Sequence, residues 1–229
     1  MNIALILSGG TGTRFGSEIP KQYLRIRGRM LVSWTIRAVW DSGSIDTLQI
    51  VAAEAWRDAI LNELPSACVL KGFTDSGDTR QGSILNGLRD IAAYAAPDDA
   101  IFIHDAARPF VSKELIDTCF GALPGHDGVM PVLPMTDTVY YSGSGKRVEK
   151  LLPRASLFAG QAPELFRFAP YLSAVERLTR EQLLQINGTS EPAVLAGLDV
   201  VMIPGSKKNF KITTREDFDR CRELLGKTE

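Results

Sequence analysis

The stretch that decides the fold stands at the start of the chain, where the apolar run Asn2-Ile-Ala-Leu-Ile-Leu7 leads directly into Ser8-Gly-Gly-Thr-Gly-Thr-Arg-Phe-Gly16. Because glycine has no Cβ, a strand that opens into such a loop lets backbone N–H groups approach an anion closely. Arg14 lies inside the loop and Lys21 follows it, so two fixed positive charges stand beside the expected anion. The stretch therefore predicts a cradle for a nucleoside triphosphate, with the two cations placed for its phosphates.

The spacing of this loop excludes two better-known phosphate-binding loops. A Walker A loop ends in Gly-Lys-Ser/Thr, and this stretch has no such triplet. A dinucleotide fingerprint has Gly-x-Gly-x-x-Gly at the start of a helix, whereas Gly10, Gly12 and Gly16 are spaced Gly-x-Gly-x-x-x-Gly and Pro20 follows. An ordinary glycine-rich turn is the structural alternative, and the added Arg14 and Lys21 count against it.

Length and composition limit the class of protein. The chain has 229 residues, of which 45% are hydrophobic and 23% charged, so it can bury the core of one sizeable α/β domain. A net charge of -1 argues against a general nucleic-acid or membrane-surface binder, and no apolar run reaches membrane-spanning length. Cys68, Cys119 and Cys221 match no metal or disulfide spacing, so we expect a reducing cytoplasm and no signal peptide.

Strands alternate with helices along much of the chain, which predicts an α/β fold with a doubly wound, mostly parallel, Rossmann-like sheet. The predicted strands are 2–7, 47–52, 68–70, 100–104, 128–133 and 199–203, and 157–163 returns to the sheet. The predicted helices are 30–40, 56–64, 79–88, 167–183 with a break near Pro170, 193–196 and a terminal helix after Thr214.

One segment interrupts this alternation. Residues 137–141 and 148–152 read as two strands on either side of the flexible turn Ser142-Gly-Ser-Gly-Lys146. A hairpin that interrupts an α/β domain usually leaves the globule, and its apolar face then needs a partner. We therefore predict a single domain, 1–229, with a protruding arm, 137–152, that packs on a second subunit.

Charged residues follow the apolar strand 100–104 in His104-Asp-Ala-Ala-Arg-Pro109. The carboxyl end of a central strand is where α/β sheets place their chemistry, so Asp105 can hold a divalent cation and Arg108 can grip a phosphate. The alternative is an Asp–Arg pair that braces a loop, and His104 is as easily a structural residue. Ser83, at the start of helix 79–88, suits a nucleotide base or phosphate, although plain helix capping is the simpler explanation of this helix start.

Taken together, these motifs resemble the cytidylyltransferases that act on polyol phosphates, the 2-C-methyl-D-erythritol 4-phosphate and ribitol 5-phosphate cytidylyltransferases. The resemblance covers nearly the whole chain, and the ordered set is highly specific. It rests on Gly9-Gly-Thr-Gly-Thr-Arg14, Pro20-Lys-Gln-Tyr23, Arg80-Gln-Gly-Ser83, His104-Asp-Ala-Ala-Arg-Pro109, Asp137-Thr138, Arg154, Gly160-Gln161 and Asn209-Phe-Lys-Ile-Thr-Thr214.

The resemblance implies a homodimeric nucleotidyltransferase that requires Mg²⁺ and joins CMP, from CTP, to a polyol phosphate with release of pyrophosphate. It implies catalytic roles for Arg14, Lys21 and Lys211, and Asp105 as the residue that serves the metal. The nucleotide-binding residues that it implies are Ser8, Gly9, Gly10, Thr11, Gly12, Gly77, Asp78, Ser83 and Asp105. The acceptor-binding residues that it implies, some delivered across the dimer, are Asp105, Arg108, Thr138, Arg154 and Thr189.

The sequence departs from the family pattern mainly on the acceptor side. Members usually carry Thr-Pro-Gln after the hairpin, where this chain has Ala162-Pro-Glu164, and Thr-Asp-Asp or Thr-Asp-Ala near the later turn, where it has Thr189-Ser-Glu-Pro192. We expect 2-C-methyl-D-erythritol 4-phosphate, and hence isoprenoid biosynthesis, with ribitol 5-phosphate for cell-surface polymers as the alternative. The absent hydroxyl at Ala162 motivates a second hypothesis, a CTP-binding regulator without turnover. A third is a sugar-1-phosphate nucleotidyltransferase that uses another base.

Overall fold

A computed structural model of the protein describes residues 1–10 and 15–226. The strands β1 to β12 are, in chain order, Asn2–Leu7, Arg25–Ile26, Arg29–Met30, Thr47–Val51, Leu70–Thr74, Ala100–Asp105, Gly128–Pro134, Val139–Tyr141, Lys150–Leu152, Phe158–Gly160, Glu164–Arg167 and Val200–Pro204. The helices α1 to α8 are Leu31–Trp40, Glu54–Leu61, Arg80–Ile91, Lys113–Ala122, Phe168–Glu176, Arg180–Gln185, Glu191–Leu195 and Arg215–Gly226.

An eight-stranded sheet forms the centre of the fold, in the order β10-β7-β11-β6-β1-β4-β5, and β12 also pairs with β7. The strands β5, β4, β1 and β6 pair in parallel, and so do β7 and β12. By contrast, β10 and β11 run antiparallel to their neighbours. The prediction of a mostly parallel sheet is therefore confirmed.

Both faces of the central strand β1 are buried, as a continuous apolar strand requires. Ala4 and Ile6 point to one face, where they share a core with residues of α1, α2 and α4. Ile3 and Leu5 point to the other face and pack with residues of α3, α5 and α7. Alternate residues of one strand thus join two separate cores, which is the layering of a doubly wound fold.

The prediction of a helix over 167–183 with a break near Pro170 is wrong in detail. Residues Glu164–Arg167 form the strand β11, and the helix α5 begins only at Phe168. Pro170 lies in the first turn of α5, where its missing N–H leaves no hydrogen bond unmade, so the helix continues past it. The break comes later, where Thr179 caps α6 by a reciprocal pair of hydrogen bonds with Gln182.

The segment predicted as an arm forms a hairpin of its own, in which β8 pairs with β9 apart from the central sheet. Its strands are shorter than predicted, three residues each. The hairpin presents apolar side chains to solvent in the single chain, where Tyr140, Val148 and Leu151 are 59%, 67% and 62% exposed. Its role in dimerisation and the single-domain organisation remain predictions.

None of the helices in the described parts of the chain combines the length and the apolar character that a bilayer crossing requires.

Candidate active site

A cavity of about 510 Å³ opens at the carboxyl ends of the parallel strands. Of the residues that the sequence predicts for the nucleotide, those that line this cavity are Gly9, Gly10, Gly77, Asp78, Ser83 and Asp105. Lys21 and Lys211, predicted to be catalytic, line it as well. The loop after β1, the start of α3 and the end of β6 therefore meet around one space.

The described part of the glycine loop is held from below by the segment after Pro20. The Gln22 side chain donates to the carbonyls of Ser8 and Gly10, at 2.8 and 2.6 Å, and the Tyr23 hydroxyl donates to the Ser8 carbonyl at 2.8 Å. A Cβ at Gly9 would lie 2.5 Å from the Cβ of Ser76, so only glycine fits there. These contacts fix where the loop leaves β1.

The start of α3 forms the opposite wall. The Thr79 side chain caps the helix by accepting from the Gly82 N–H at 3.0 Å, and the Ser83 hydroxyl accepts from the Gly77 N–H at 3.0 Å. A Cβ at Gly77 would come within 2.6 Å of the Gly82 backbone, so the turn packs directly on the helix. The polar helix start thereby lies at the cavity edge, where the dipole of α3 favours negative charge.

Asp105, the last residue of β6, gathers three cationic side chains. Its Oδ1 accepts from Nε and Nη2 of Arg80 at 3.3 and 3.1 Å. Its Oδ2 accepts from Nε of Arg108 at 3.2 Å and forms an ion pair with Nζ of Lys211 at 3.0 Å. Because a carboxylate has about four lone-pair positions, these N–H groups occupy them all.

The electrostatics of this cluster follow from its burial and its charges. Burial alone would raise the pKa of Asp105, but the charges of Arg80, Lys211 and Arg108 outweigh it and hold the pKa well below its usual range. Burial acts in the opposite direction on Arg80, whose pKa is nevertheless raised by Asp105 and Glu164. Three cationic side chains share one carboxylate, so the cluster leaves a net positive charge beside the cavity.

Buried neighbours fix the turn after Asp105. His104 is fully buried, and its Nε2 lies 3.1 Å from the Arg108 carbonyl, which can only accept, so Nε2 carries the proton. The Arg108 guanidinium also donates to the Asn209 carbonyl at 2.8 Å, and the Asn209 amide donates to the Ala162 carbonyl at 2.7 Å. These hydrogen bonds join three segments that are far apart in sequence, at Arg108, Asn209 and Ala162, beside the Asp105 cluster.

A second cavity of about 600 Å³ adjoins the first and shares Arg80, Asp105 and Lys211 with it. Arg108 and Thr189, predicted for the acceptor, line this second cavity. Because β11 is antiparallel, its first residue pairs near the carboxyl end of β6, which brings the segment before β11 to the site. One cluster of charges therefore separates two adjacent binding spaces.

Other predicted residues lie elsewhere. Arg14, Thr11 and Gly12 fall outside the described residues. Ser8 is buried beneath the loop and is absent from both sets of lining residues. Thr138 and Arg154 lie near the hairpin on the exposed surface, and neither is among the described residues that line the cavities.

Sequence reasoning missed two residues of the site. Arg80 belongs to one of the motifs of the resemblance but has no predicted role, although it lies at the start of a helix that follows a polar turn. Glu164 was noted only as a departure from the family pattern, and the structure buries it to 7% exposure at the wall of the second cavity. A carboxylate directly before the apolar pair Leu165-Phe166 was the available signal for Glu164.

The glycine loop, the helix start and the cation cluster at the carboxyl ends of parallel strands define a nucleotide-binding protein of the doubly wound α/β class. The sequence model of one family, 2-C-methyl-D-erythritol 4-phosphate cytidylyltransferase (IspD), matches residues 2–227. The chain belongs to this family, whose members are cytidylyltransferases, and the predicted resemblance is confirmed.

Individual relatives agree with this assignment. The chain is 36% identical to the bifunctional enzyme IspD/IspF of Maricaulis maris, over 98% of its own length and 57% of that protein. It is 32% identical to 2-C-methyl-D-erythritol 4-phosphate cytidylyltransferase of Ralstonia nicotianae, over 97% of this chain and 91% of that one. The chain thus spans only about half the length of its bifunctional relatives.

The fold has a close counterpart among solved structures. The crystal structure of 2-C-methyl-D-erythritol 4-phosphate cytidylyltransferase (IspD) from Francisella tularensis superimposes with a TM-score of 0.81 at 25% sequence identity. The match covers 98% of this chain and 100% of that one.

Proposed function

We propose that this protein transfers a cytidylyl group from CTP to 2-C-methyl-D-erythritol 4-phosphate and releases pyrophosphate. The observation that carries the proposal is the pair of adjoining cavities that share Arg80, Asp105 and Lys211. Family membership supports this acceptor, and the relatives do not favour ribitol 5-phosphate, a regulator without turnover or another nucleotide base.

The chemistry needs positioning and charge neutralisation rather than covalent help. An oxygen of the acceptor's phosphate attacks the α-phosphorus of CTP and forms the new P–O bond. The bond from the α-phosphorus to the oxygen that bridges it to the β-phosphorus breaks, and its electron pair leaves with pyrophosphate. Because the attacking oxygen is already anionic, no general base is required.

The roles of the nucleotide-side residues follow from their positions and from the resemblance. We assign Gly9 and Gly10, with Thr11, Gly12 and Arg14, to the triphosphate, and Gly77, Asp78 and Ser83 to cytosine and ribose. Lys21 and Lys211 line the first cavity and are the described cations assigned to neutralise charge during transfer.

The acceptor's phosphate is assigned to Arg108 and Lys211, because both cations line the second cavity and already grip a carboxylate there. Thr189, which lines the same cavity, is assigned to the polyol. This arrangement would point the acceptor's phosphate at the shared cluster.

We propose that Mg²⁺ accompanies CTP. Among the described residues no group of three or more acidic, histidine or cysteine side chains is placed to hold a metal ion, so phosphate oxygens and water would supply most ligands. Asp105 fits as one oxygen ligand only after a cationic neighbour turns to a phosphate, because its lone pairs are taken. When bound, the ion would neutralise phosphate charge.

We also propose a homodimer through the hairpin. Its exposed Tyr140, Val148 and Leu151 form an apolar surface that a second copy would cover. The position of Thr138 and Arg154 near this arm, outside the lining of either cavity, suits delivery to the partner's acceptor site. The unpaired state of the three cysteines suits a reducing cytoplasm, which remains a prediction.

Pyrophosphate release measured with CTP and Mg²⁺ against a panel of polyol phosphates tests the proposal. We expect release with 2-C-methyl-D-erythritol 4-phosphate and little with ribitol 5-phosphate. The reverse preference would contradict the proposed acceptor. Silence across the panel despite tight CTP binding would contradict the proposed activity, and UTP and GTP serve as nucleotide controls.

A further inference from the structure

A small apolar cluster borders the first cavity, apart from the two main cores, and the terminal helix α8 contributes to it. Its buried members include Phe15, Ala107, Ile212, Phe218 and Cys221, and we call it the α8 cluster. We propose that Phe218 is a positioning residue that, through this cluster, holds in place the chain segments whose cations bind the phosphates. The inference rests on the proposed function, because that proposal assigns these cations to phosphate groups.

The first step is the place of the cluster members in the chain. Three of them are immediate neighbours in sequence of cations that are assigned to phosphates. The pairs are Arg14-Phe15, Ala107-Arg108 and Lys211-Ile212. Phe15 and Ala107 also line the first cavity. Because a side chain that is fixed by close packing also fixes the backbone beside it, the α8 cluster limits how far these cations can move relative to one another.

The second step is the set of contacts that join the three segments. The Phe218 ring meets the Phe15 ring edge-on, with their centroids 5.8 Å apart. The Arg215 guanidinium lies over both rings, 5.9 Å from the Phe15 centroid and 6.0 Å from that of Phe218. The Ile212 N–H donates to the Ala107 carbonyl at 2.9 Å. The rings thus join α8 to the end of the glycine loop, and the backbone bond joins the other two segments to each other.

The third step is the anchoring of α8 itself. Oδ2 of Asp217 accepts from the N–H groups of Thr213 and Thr214 at 2.9 and 2.8 Å, and the Thr214 hydroxyl accepts from the Asp217 N–H at 3.2 Å. This reciprocal cap fixes the start of α8 within three residues of Lys211. Phe218 is absent from the described lining of both cavities, so any effect that it has on a ligand is indirect.

Isothermal titration calorimetry on the full chain tests the inference with inorganic tripolyphosphate, which offers the phosphates of CTP without base or ribose. Phe218→Leu removes the ring contact with Phe15 and should weaken tripolyphosphate binding by about tenfold, the equivalent of one charge-assisted hydrogen bond. Phe168→Leu is the matched control, because Phe168 is 5% exposed against 7% for Phe218 and lies in a different core. The Phe168 N–H donates to the Asp99 carbonyl, just before β6, so the control perturbs the far end of that strand and should change binding by less than about twofold.

A rescue variant and a double variant keep positioning apart from a general loss of packing. Phe218→Tyr keeps the aromatic ring and should bind tripolyphosphate within about threefold of wild type. Phe15→Leu should weaken binding as Phe218→Leu does, and the double variant should fall well short of the product of the two effects, because both rings act through one contact. In a pyrophosphate-release assay kcat should follow the same order, about tenfold lower in Phe218→Leu and close to wild type in Phe218→Tyr.

Circular dichroism in urea establishes that each variant is folded under the assay conditions. If Phe218→Leu does not fold, Phe218→Met keeps most of the volume without the ring and carries the same expectation. Unchanged tripolyphosphate binding in Phe218→Leu, equal weakening by Phe168→Leu, or independent effects of the Phe15 and Phe218 variants would each overturn the inference. If the variants bind tripolyphosphate as expected but the wild-type protein releases no pyrophosphate, the inference is supported and the proposed transfer alone is refuted.

Discussion

Acidification should destabilise this protein through His104, a residue beneath the active site. His104 is fully buried, and burial lowers its pKa from 6.5 to about 4. The geometry explains the direction, because Nε2 already donates to the Arg108 carbonyl and the buried Nδ1 has no hydrogen-bond partner. A second proton would therefore sit on Nδ1 without an acceptor.

The sign and size of the effect follow from linkage. Below about pH 6.5 the unfolded chain binds this proton and the folded chain does not, so the free energy of unfolding falls as pH falls. The stabilisation by neutral His104 is present above that range and is lost progressively until about pH 4. Between about pH 7 and pH 5 the loss amounts to about 2 kcal/mol.

Urea denaturation at several pH values measures this loss, with His104→Gln as the comparison. Glutamine keeps a donor for the Arg108 carbonyl but does not titrate, so the variant should lose about 2 kcal/mol less than wild type over the same range. The comparison uses only the change in the free energy of unfolding with pH, so the stability of the variant near neutral pH does not affect it. The contributions of the other titrating groups are the same in both proteins and cancel. Parallel pH profiles for wild type and variant would refute the reasoning.

Three further predictions concern the site and the arm. Lys21→Ala and Arg14→Ala should each lower kcat about 100-fold or more in a pyrophosphate-release assay, and near-normal rates for both would rule out the assigned mechanism. Asp105→Asn should lower the free energy of unfolding by about 3 kcal/mol, because three cations lose their shared partner, yet calorimetry should show tighter binding of pyrophosphate. Leu151→Asp or Tyr140→Asp should shift the protein to monomers in analytical ultracentrifugation, and an unchanged mass would argue against dimerisation through the hairpin.

The part of the fold that depends on local pattern could be predicted from the sequence. The apolar run of β1 specifies a buried strand, whatever the rest of the chain does. The strand β11 could not be predicted, because Glu164–Arg167 forms a strand through pairing with β6 and β7, which lie far away in sequence. The local pattern left residues 164–166 unassigned and began a helix at Arg167, which in the structure ends the strand.

The candidate site divides in the same way. Asp105 and Arg108 were predictable, because charges that follow a buried parallel strand lie at the functional edge of the sheet. Arg80 and Glu164 were missed, because their importance comes from contacts with Asp105 and Ser190 that no spacing rule reveals. The role predicted for Thr138 requires a second copy of the chain, so its assignment still rests on the resemblance.

The carboxylate of Asp105, whose lone pairs are all taken, affects which anions can bind at the cation cluster. Arg80, Arg108 and Lys211 already bind this carboxylate, which competes with any dissolved anion. Because Asp105 belongs to the same chain, its effective concentration at these cations is high. Chloride or another small anion has only a single charge with which to displace the Asp105 carboxylate, so it binds these cations weakly. A triphosphate carries enough charge to bind several of these side chains at once. The site therefore favours highly charged anions over the small ions of the surrounding solution.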